Sequence, residues 1–210
     1  MRYAAGTLCA VVAFLVPCPA DAQKQTLDFF DDDWGCFPGG GEPETYYPVP
    51  DGYGGLVWDG FSVAGASRIG PLFNGLNLMD QCAIAFSTTA IPSITGSRFS
   101  LFGAWLEAAG YDGVTLSITG YRNGSARVFR SFLISAWNPV YVDLNIRNVD
   151  RVTFATAGGT PSEDVWESPD TRWFAMDDLE VQVVPEPITL VLLGTGLAGV
   201  GAAARRRRTG

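Results

Sequence analysis

Residues 114–134, with the sequence VTLSITGYRNGSARVFRSFLI, decide the fold class of this chain. The first five residues of the stretch alternate between apolar and hydroxyl side chains, the pattern of a β-strand with one buried face. Asn123-Gly124 follows, a pair that readily adopts the positive φ angles of a tight hairpin turn, and residues 127–134 return. The stretch therefore predicts a β-hairpin.

The alternation continues on both sides of this hairpin. It predicts further strands at residues 55–63, 83–87, 98–106, 140–146, 152–154 and 179–183. Apart from the two ends, no part of the chain carries the apolar stripe of a helix. Short strands separated by turns, in a chain with 25 glycines and 13 prolines, predict an all-β sandwich or barrel.

The amino-terminal end has the three parts of a secretory signal peptide, predicted over residues 1–22. Arg2 supplies the charged start, and residues 8–16 form an apolar run. Ala20 and Ala22 place small side chains where signal peptidase requires them. We therefore expect signal peptidase to remove this segment during export.

The carboxyl-terminal end carries a second apolar segment. Residues 188–204 are 17 residues without charge, enough for a short transmembrane helix. A run of arginines follows, which the positive-inside rule holds on the cytoplasmic side. The tripeptide before the span is Pro185, Glu186 and Pro187, and the arginines are Arg205, Arg206, Arg207 and Arg208. The two prolines favour an extended segment that is accessible to a processing enzyme.

Taken together, residues 184–208 resemble the PEP-CTERM sorting signal of Gram-negative bacteria, with tripeptide, apolar span and arginine cluster in the family's order. The resemblance implies an inner-membrane-anchored precursor that an exosortase cleaves near the Pro-Glu-Pro. It also implies a protein of the cell surface or extracellular matrix, in a host that produces exopolysaccharide and often forms biofilms. The predicted organisation is a signal peptide (1–22), one β-sandwich domain (23–184) and a sorting signal (185–208).

The predicted body, residues 23–184, is strongly acidic. It holds nine basic and 20 acidic residues, a formal charge of −11, against −8 for the whole chain. This charge argues against a nucleic-acid partner, which needs a basic face.

Two cysteines, Cys36 and Cys82, remain after removal of the signal peptide. An even pair in an exported, oxidising setting predicts a disulfide. Two free thiols or a metal site are the alternatives, although two cysteines without histidine supply too few ligands for zinc.

The body also resembles secreted PEP-CTERM proteins that have a jelly-roll sandwich akin to galactose-binding-like carbohydrate modules. The similarity rests on short segments spread over residues 26–184. They are LDFFDD (27–32), PDGYGGLVW (50–58), VTLSITGYR (114–122), DRVTF (150–154) and FAMDDL (174–179). The resemblance implies an all-β jelly roll and does not by itself assign a function.

The composition argues against an enzyme. The chain has no histidine, which excludes Ser-His and Cys-His nucleophile pairs. Lys24 is the only lysine and stands at the start of the body, which leaves a Ser-Lys hydrolase without a candidate. Paired carboxylates can hydrolyse a glycoside, and Glu107 and Glu163, with Asp164 or Glu167, are the candidates. Nothing in the sequence sets the separation of these groups.

Two groups of aspartates are candidates for a structural calcium site. Asp31 and Asp32 lie near the first strand, and Asp177 and Asp178 lie near the last. The first and last strands of a jelly roll commonly run together, and calcium binds clusters of carboxylate and carbonyl oxygens. The alternative is solvated surface acidity. No other cofactor is expected.

Aromatic residues in predicted loops are candidates for a glycan-binding surface. Tyr46, Tyr47, Trp137 and Trp166 lie beside proline, glycine or charged residues. Trp58, Trp105 and Trp173 occupy apolar strand contexts and are predicted to be core residues.

These observations predict an exported surface or matrix protein that associates non-enzymatically with exopolysaccharide or another envelope glycan. A purely structural matrix protein without a ligand is one alternative, and a divergent glycan-active enzyme is the other.

Overall fold

The computed structural model describes residues 23–29, 47–64, 84–87, 91–161 and 172–184. Regular structure in these ranges is β-strand, apart from one turn of 3-10 helix at Tyr53–Gly55. The strands are β1 (Lys24–Leu27), β2 (Tyr47–Pro48), β3 (Val57–Asp59), β4 (Phe61–Ala64), β5 (Ile84–Ser87), β6 (Ser93–Ala109), β7 (Tyr111–Arg122), β8 (Ser125–Ile134), β9 (Val140–Pro161), β10 (Trp173–Asp177) and β11 (Leu179–Val183).

The strands pair as a set of nested antiparallel hairpins. The innermost pair is β7 with β8, followed outward by β6 with β9, β5 with β10, and β1 with β11. This nesting results when one long hairpin is rolled up, which is the topology of a jelly roll. It confirms the predicted all-β, jelly-roll sandwich and the predicted pairing of the first and last strands.

The central hairpin has the turn that its sequence predicts. Asn123 and Gly124 both have positive φ angles, 50° and 74°. The backbone N–H of Asn123 donates to the Asp150 carboxylate at 2.5 Å, which ties the turn to β9. The tight turn and this bond together hold β8 at the edge of the sheet next to β7.

The long strands β6 and β9 build both layers of the sandwich. The first half of β9, from Val140 to Val149, pairs with β6, and its second half, from Arg151 to Pro161, pairs with β7. Residues 151–153 also pair with the start of β6, on their other side. We call the sheet of β1, β11, β10, β6 and the first half of β9 the β6 layer. The sheet of β8, β7 and the second half of β9 is the β7 layer. The predicted strands at 140–146 and 152–154 are therefore two parts of one strand.

A further difference from the sequence prediction lies at Gly60. The predicted strand at 55–63 divides there, because Gly60 has a φ of 72°. β3 pairs with β6, whereas β4 pairs with β2 and β5. The positive φ lets the chain change partners within one residue.

One hydrophobic core joins the two layers. Leu101 and Ile146 from the β6 layer and Leu116 from the β7 layer are fully buried in the same cluster. Phe154 packs edge-on against Phe61 with ring centroids 5.5 Å apart. Each such side chain contributes about 1.5–3 kcal/mol through the apolar surface that it removes from water.

The tryptophan predictions are confirmed only in part. Trp58 is a core residue, as predicted. Trp105 and Trp173 are half-buried, because both point to the outer face of the β6 layer rather than into the core.

Several predicted features lie outside the described residues. They are the signal peptide, Cys36, Cys82, Asp31, Asp32, Tyr46, Glu163, Asp164, Trp166, Glu167 and the sorting signal from residue 185 onward. Across the ranges that are described, no helix has the length and apolar character needed to cross a membrane.

Candidate functional site

The outer face of the β6 layer carries a row of polar and aromatic side chains. Along the first half of β9, Val142, Leu144 and Ile146 point into the core. The alternate side chains are exposed at the surface, and they are Tyr141, Asp143, Asn145 and Arg147. Because side chains alternate along a strand, the burial of one set forces the other outward.

Tyr141 and Trp105 form an aromatic pair on this face. The two residues are direct partners across β9 and β6, and their ring centroids lie 5.7 Å apart at 72°. Tyr141 lies over Gly103, since a Cβ at that position would collide with its hydroxyl. The absent side chain of Gly103 thus lets the Tyr141 ring cross β6, where it stays 41% exposed.

A chain of polar contacts extends from Tyr141 to the first strand. The Tyr141 hydroxyl faces the Glu180 carboxylate, which also pairs with Lys24 Nζ at 2.6 Å. The hydrogen bond from Lys24 lowers the pKa of Glu180. Burial, followed by the charge of Glu180, raises the pKa of Tyr141. At neutral pH the site therefore presents a protonated phenol and an ionised carboxylate.

Phe102 continues the same surface between two cations. Lys24 Nζ lies 5.0 Å from the Phe102 ring centroid, and the Arg147 guanidinium carbon lies 4.7 Å from it. Arg147 Nε donates to the Asn145 side-chain oxygen at 2.7 Å. We call the surface formed by Lys24, Phe102, Trp105, Tyr141, Arg147 and Glu180 the β6/β9 face.

The β6/β9 face has the chemistry of a saccharide-binding surface. Aromatic rings offer flat apolar area with a negative face, against which the C–H bonds of a sugar ring can pack. Ionised side chains beside the rings accept or donate hydrogen bonds to hydroxyl groups more strongly than neutral ones. The six residues come from four strands, and the sheet register brings them together.

Two buried carboxyl groups lie further along the same layer. Glu107 is fully buried and Asp177 nearly so. Asp177 pairs with Trp105, and Glu107 pairs with Ala175, which makes the two acids diagonal neighbours on adjacent strands. Both have interaction partners.

In the described ranges, no group of three or more Asp, Glu, Cys or His side chains is placed to hold a metal. The calcium site therefore stays a prediction.

The structure describes one of the four predicted loop aromatics in full. Trp137 is 43% exposed, on a turn at residues 135–139. The Asp112 carboxylate holds this turn, accepting from the Ser135 hydroxyl at 2.7 Å and the Ala136 N–H at 3.2 Å. For Tyr47 only the backbone is described, in β2 opposite Val63.

Acid should weaken the Trp137 turn through Asp112. The hydrogen bond from Ser135 is the main cause that lowers the Asp112 pKa below 3.8. A carboxylate with a lowered pKa stabilises the fold above its ordinary pKa, and this contribution is lost as pH falls through the folded value. Asp112→Asn should therefore be less stable than the wild type at pH 7, and the difference should shrink below about pH 4.

Thermal unfolding at pH 7 and pH 3 measures this difference. Asp51→Asn, a change of the same type at an exposed position, serves as the control. A gap between wild type and Asp112→Asn that is the same at both pH values would contradict the assignment.

The sequence reasoning missed Tyr141 and Arg147 and placed Trp105 in the core. The strand predicted at 140–146 contained a usable signal. Its apolar residues indicate the buried face, and the residues between them indicate what the opposite, exposed face carries. The polar half of that strand contains an aromatic ring, an acid, an amide and an arginine, which is more chemical variety than a solvated strand face requires.

Comparison with known proteins identifies the carboxyl-terminal segment. Residues 183–208 match the PEP-CTERM protein-sorting motif. This confirms the predicted sorting signal, and it implies an exported protein with a membrane-anchored precursor that an exosortase sorts to the cell surface. No curated protein sequence matches the chain.

Two solved structures are similar to the body at low identity. One is TmCBM61 in complex with beta-1,4-galactotriose, with a TM-score of 0.35 and 13% identity over 66% of this chain and 98% of that chain. The other is an arabinose-bound MgGH51 α-L-arabinofuranosidase, with a TM-score of 0.35 and 10% identity over 66% of this chain. The chain spans 23% of that enzyme's length.

Proposed function

We propose that this exosortase-sorted protein binds an exopolysaccharide or another envelope glycan without transforming it, at the cell surface or in the extracellular matrix. The observation that carries the proposal is the pair of exposed Tyr141 and half-buried Trp105 beside the ionised Glu180–Lys24 pair. Tyr141 is positioned by Gly103 beneath its ring and by Trp105, whose ring packs edge-on against it. A side chain held in this way loses little conformational entropy when a ligand packs against it.

The site supports binding better than hydrolysis. Glycoside hydrolysis needs one carboxyl group as an acid and a second as a base or nucleophile, both reaching the same bond. Glu180 is engaged by Lys24 and Tyr141, which favours a role as a hydrogen-bonding carboxylate. Glu107 is fully buried, so a sugar on the outer surface has no direct access to it.

A glycan array probed with the full chain, with and without calcium, tests the proposal. Tyr141→Ala should weaken binding at least about tenfold, because it removes the exposed aromatic surface together with the hydroxyl beside Glu180. Gly103→Ala should act in the same way by displacing the Tyr141 hydroxyl.

Trp137→Ala is the matched control, since Trp137 is as exposed as Tyr141 but lies on the separate turn at 135–139. Loss of binding in Trp137→Ala with retention in Tyr141→Ala would place the site on the turn instead. An array without signal in either calcium condition would overturn glycan binding and favour the purely structural matrix protein.

A further inference from the structure

One segment of the chain is positively charged, although the body as a whole is acidic. Residues 113–161, which include most of β7 and all of β8 and β9, hold five arginines and two aspartates. Their formal charge is +3, whereas the body carries −11 with nine basic and 20 acidic residues. This segment therefore has a net positive charge within an acidic body.

Arg147 is presented by a distortion of β9. Asn145 and Asn148 have positive φ angles, 46° and 58°. Between them the pairing with β6 shifts by one residue, since Ile146 faces Leu101 and Val149 faces Phe99. Such a bulge redirects side chains and commonly lies next to a functional site. Here it places the Arg147 guanidinium over Phe102.

A second arginine is fixed beside the same bulge. Arg130 reaches across from β8, and its Nε donates to the Leu144 carbonyl at 3.2 Å while Nη2 donates to the Asn145 carbonyl at 3.4 Å. Asn145 therefore bonds to Arg130 through its backbone and to Arg147 through its side chain. Two positively charged side chains thus bond to the same residue.

Arg130 and Arg147 differ from Lys24 in whether a carboxylate compensates their charge. Within the described residues, Lys24–Glu180 is the one ion pair, so the charge of Lys24 is compensated. The arginine charges have no carboxylate partner among those residues. Arg147 is stacked on Phe102 and oriented by Asn145, and its terminal nitrogens donate to no group among the described residues.

We infer that the glycan bound at the β6/β9 face is anionic, and that Arg147, with Arg130 beside it, forms the subsite for its carboxylate groups. A planar guanidinium held against an aromatic ring is suited to bidentate contact with a carboxylate. At the Tyr141 end, Glu180 and Asp143 would repel a second carboxylate, so that end accepts the uncharged part of the saccharide. The inference rests on the proposed glycan binding.

The experiment compares polysaccharides with and without their charge. The full chain, purified in a mild detergent, is titrated with alginate, polygalacturonate and hyaluronate, with the methyl ester of each, and with a panel of neutral glycans. At least one acid should bind, and its methyl ester should bind at least about tenfold more weakly. Arg147→Gln should reduce binding of that acid to about the level of its ester, a larger loss than the same substitution causes in ester binding.

Arg172→Gln is the matched control. The Arg172 guanidinium also lies 4.7 Å from a ring centroid, that of Tyr111, and its Nε also donates to an oxygen, that of Gly158. The substitution removes the same charge at a different place and should leave acid binding unchanged. Equal losses in Arg147→Gln and Arg172→Gln would show an effect of net charge and overturn the subsite.

Other outcomes separate this inference from the proposed function. Acids and esters that bind equally, with both weakened by Tyr141→Ala, would refute the anionic subsite and retain glycan binding at this face. Binding to neutral glycans alone would do the same. Binding to no member of the panel would overturn both.

Discussion

Precursor that carries Glu186→Ala, or that lacks residues 205–208, is expected to accumulate uncleaved in the inner membrane. Glu186 is the central residue of the Pro-Glu-Pro tripeptide, and both changes fall within the segment that matches the PEP-CTERM protein-sorting motif. Deleting the four arginines also removes the charge that, by the positive-inside rule, is expected to hold the carboxyl-terminal end on the cytoplasmic side. Without that anchor, the tripeptide is not held where an exosortase can reach it.

Cell fractionation with an immunoblot against the body measures the ratio of precursor to cleaved protein. Glu42→Ala is a matched control, because Glu42 also stands next to a proline but lies far from the sorting segment. We expect full processing in the control and almost none in the other two variants. Wild-type processing of both Glu186→Ala and the arginine deletion would refute the sorting assignment.

Phe154→Ala is expected to cause the largest loss of stability among single substitutions in the core. Phe154 is fully buried and contacts Phe61 and Phe174, with ring centroids 5.5 Å away in both cases. It also lies on the part of β9 that pairs with β7, so its ring packs where the two layers meet. Truncating a buried phenylalanine removes the transfer free energy and leaves a cavity, at a cost of about 3–5 kcal/mol.

The matched control is Phe129→Ala, the same substitution at a side chain that is 60% exposed on β8. Its effect should stay within about 0.5 kcal/mol. Denaturant unfolding followed by tryptophan fluorescence measures both variants, and Phe154→Leu provides a milder change if Phe154→Ala does not fold. Equal stability of Phe154→Ala and Phe129→Ala would contradict the position of the core.

Local patterns were sufficient for the fold class. The alternation at residues 114–118 and the Asn123-Gly124 turn predict a hairpin because both signals act between near neighbours in the chain. The structure has that hairpin, with both turn residues at positive φ. The sorting segment was equally accessible from sequence, since its parts are contiguous and are defined by charge and hydropathy alone.

The predictions for individual sites depended on more than local pattern. Trp105 stands in an apolar stretch, yet it points outward because a register shift between Leu101 and Gly103 changes which side chains face the core. The sequence does not reveal where a bulge interrupts the alternation. The sequence therefore predicts a core position for Trp105, whereas the structure places its ring in the candidate site.

The charges of this protein also depend partly on composition and partly on the fold. Removing the two ends from the sum lowers the formal charge from −8 to −11 for the body, which depends on composition alone. Which charges compensate each other depends on the pairing of β1 with β11 and of β6 with β9. That pairing joins Lys24 to Glu180 and leaves Arg147 with Phe102 and Asn145.

The sequence by itself determined that this is an all-β domain with a segment that directs export and sorting. These properties are encoded by residues near one another in the chain, through strand alternation, turn geometry and a contiguous sorting motif. Only the tertiary structure decided that Lys24, Tyr141 and Glu180 meet on one face and that Arg147 stacks on Phe102. Residues separated by more than 100 positions become neighbours there, because the nested pairing of the jelly roll brings the first, last and central strands into one sheet.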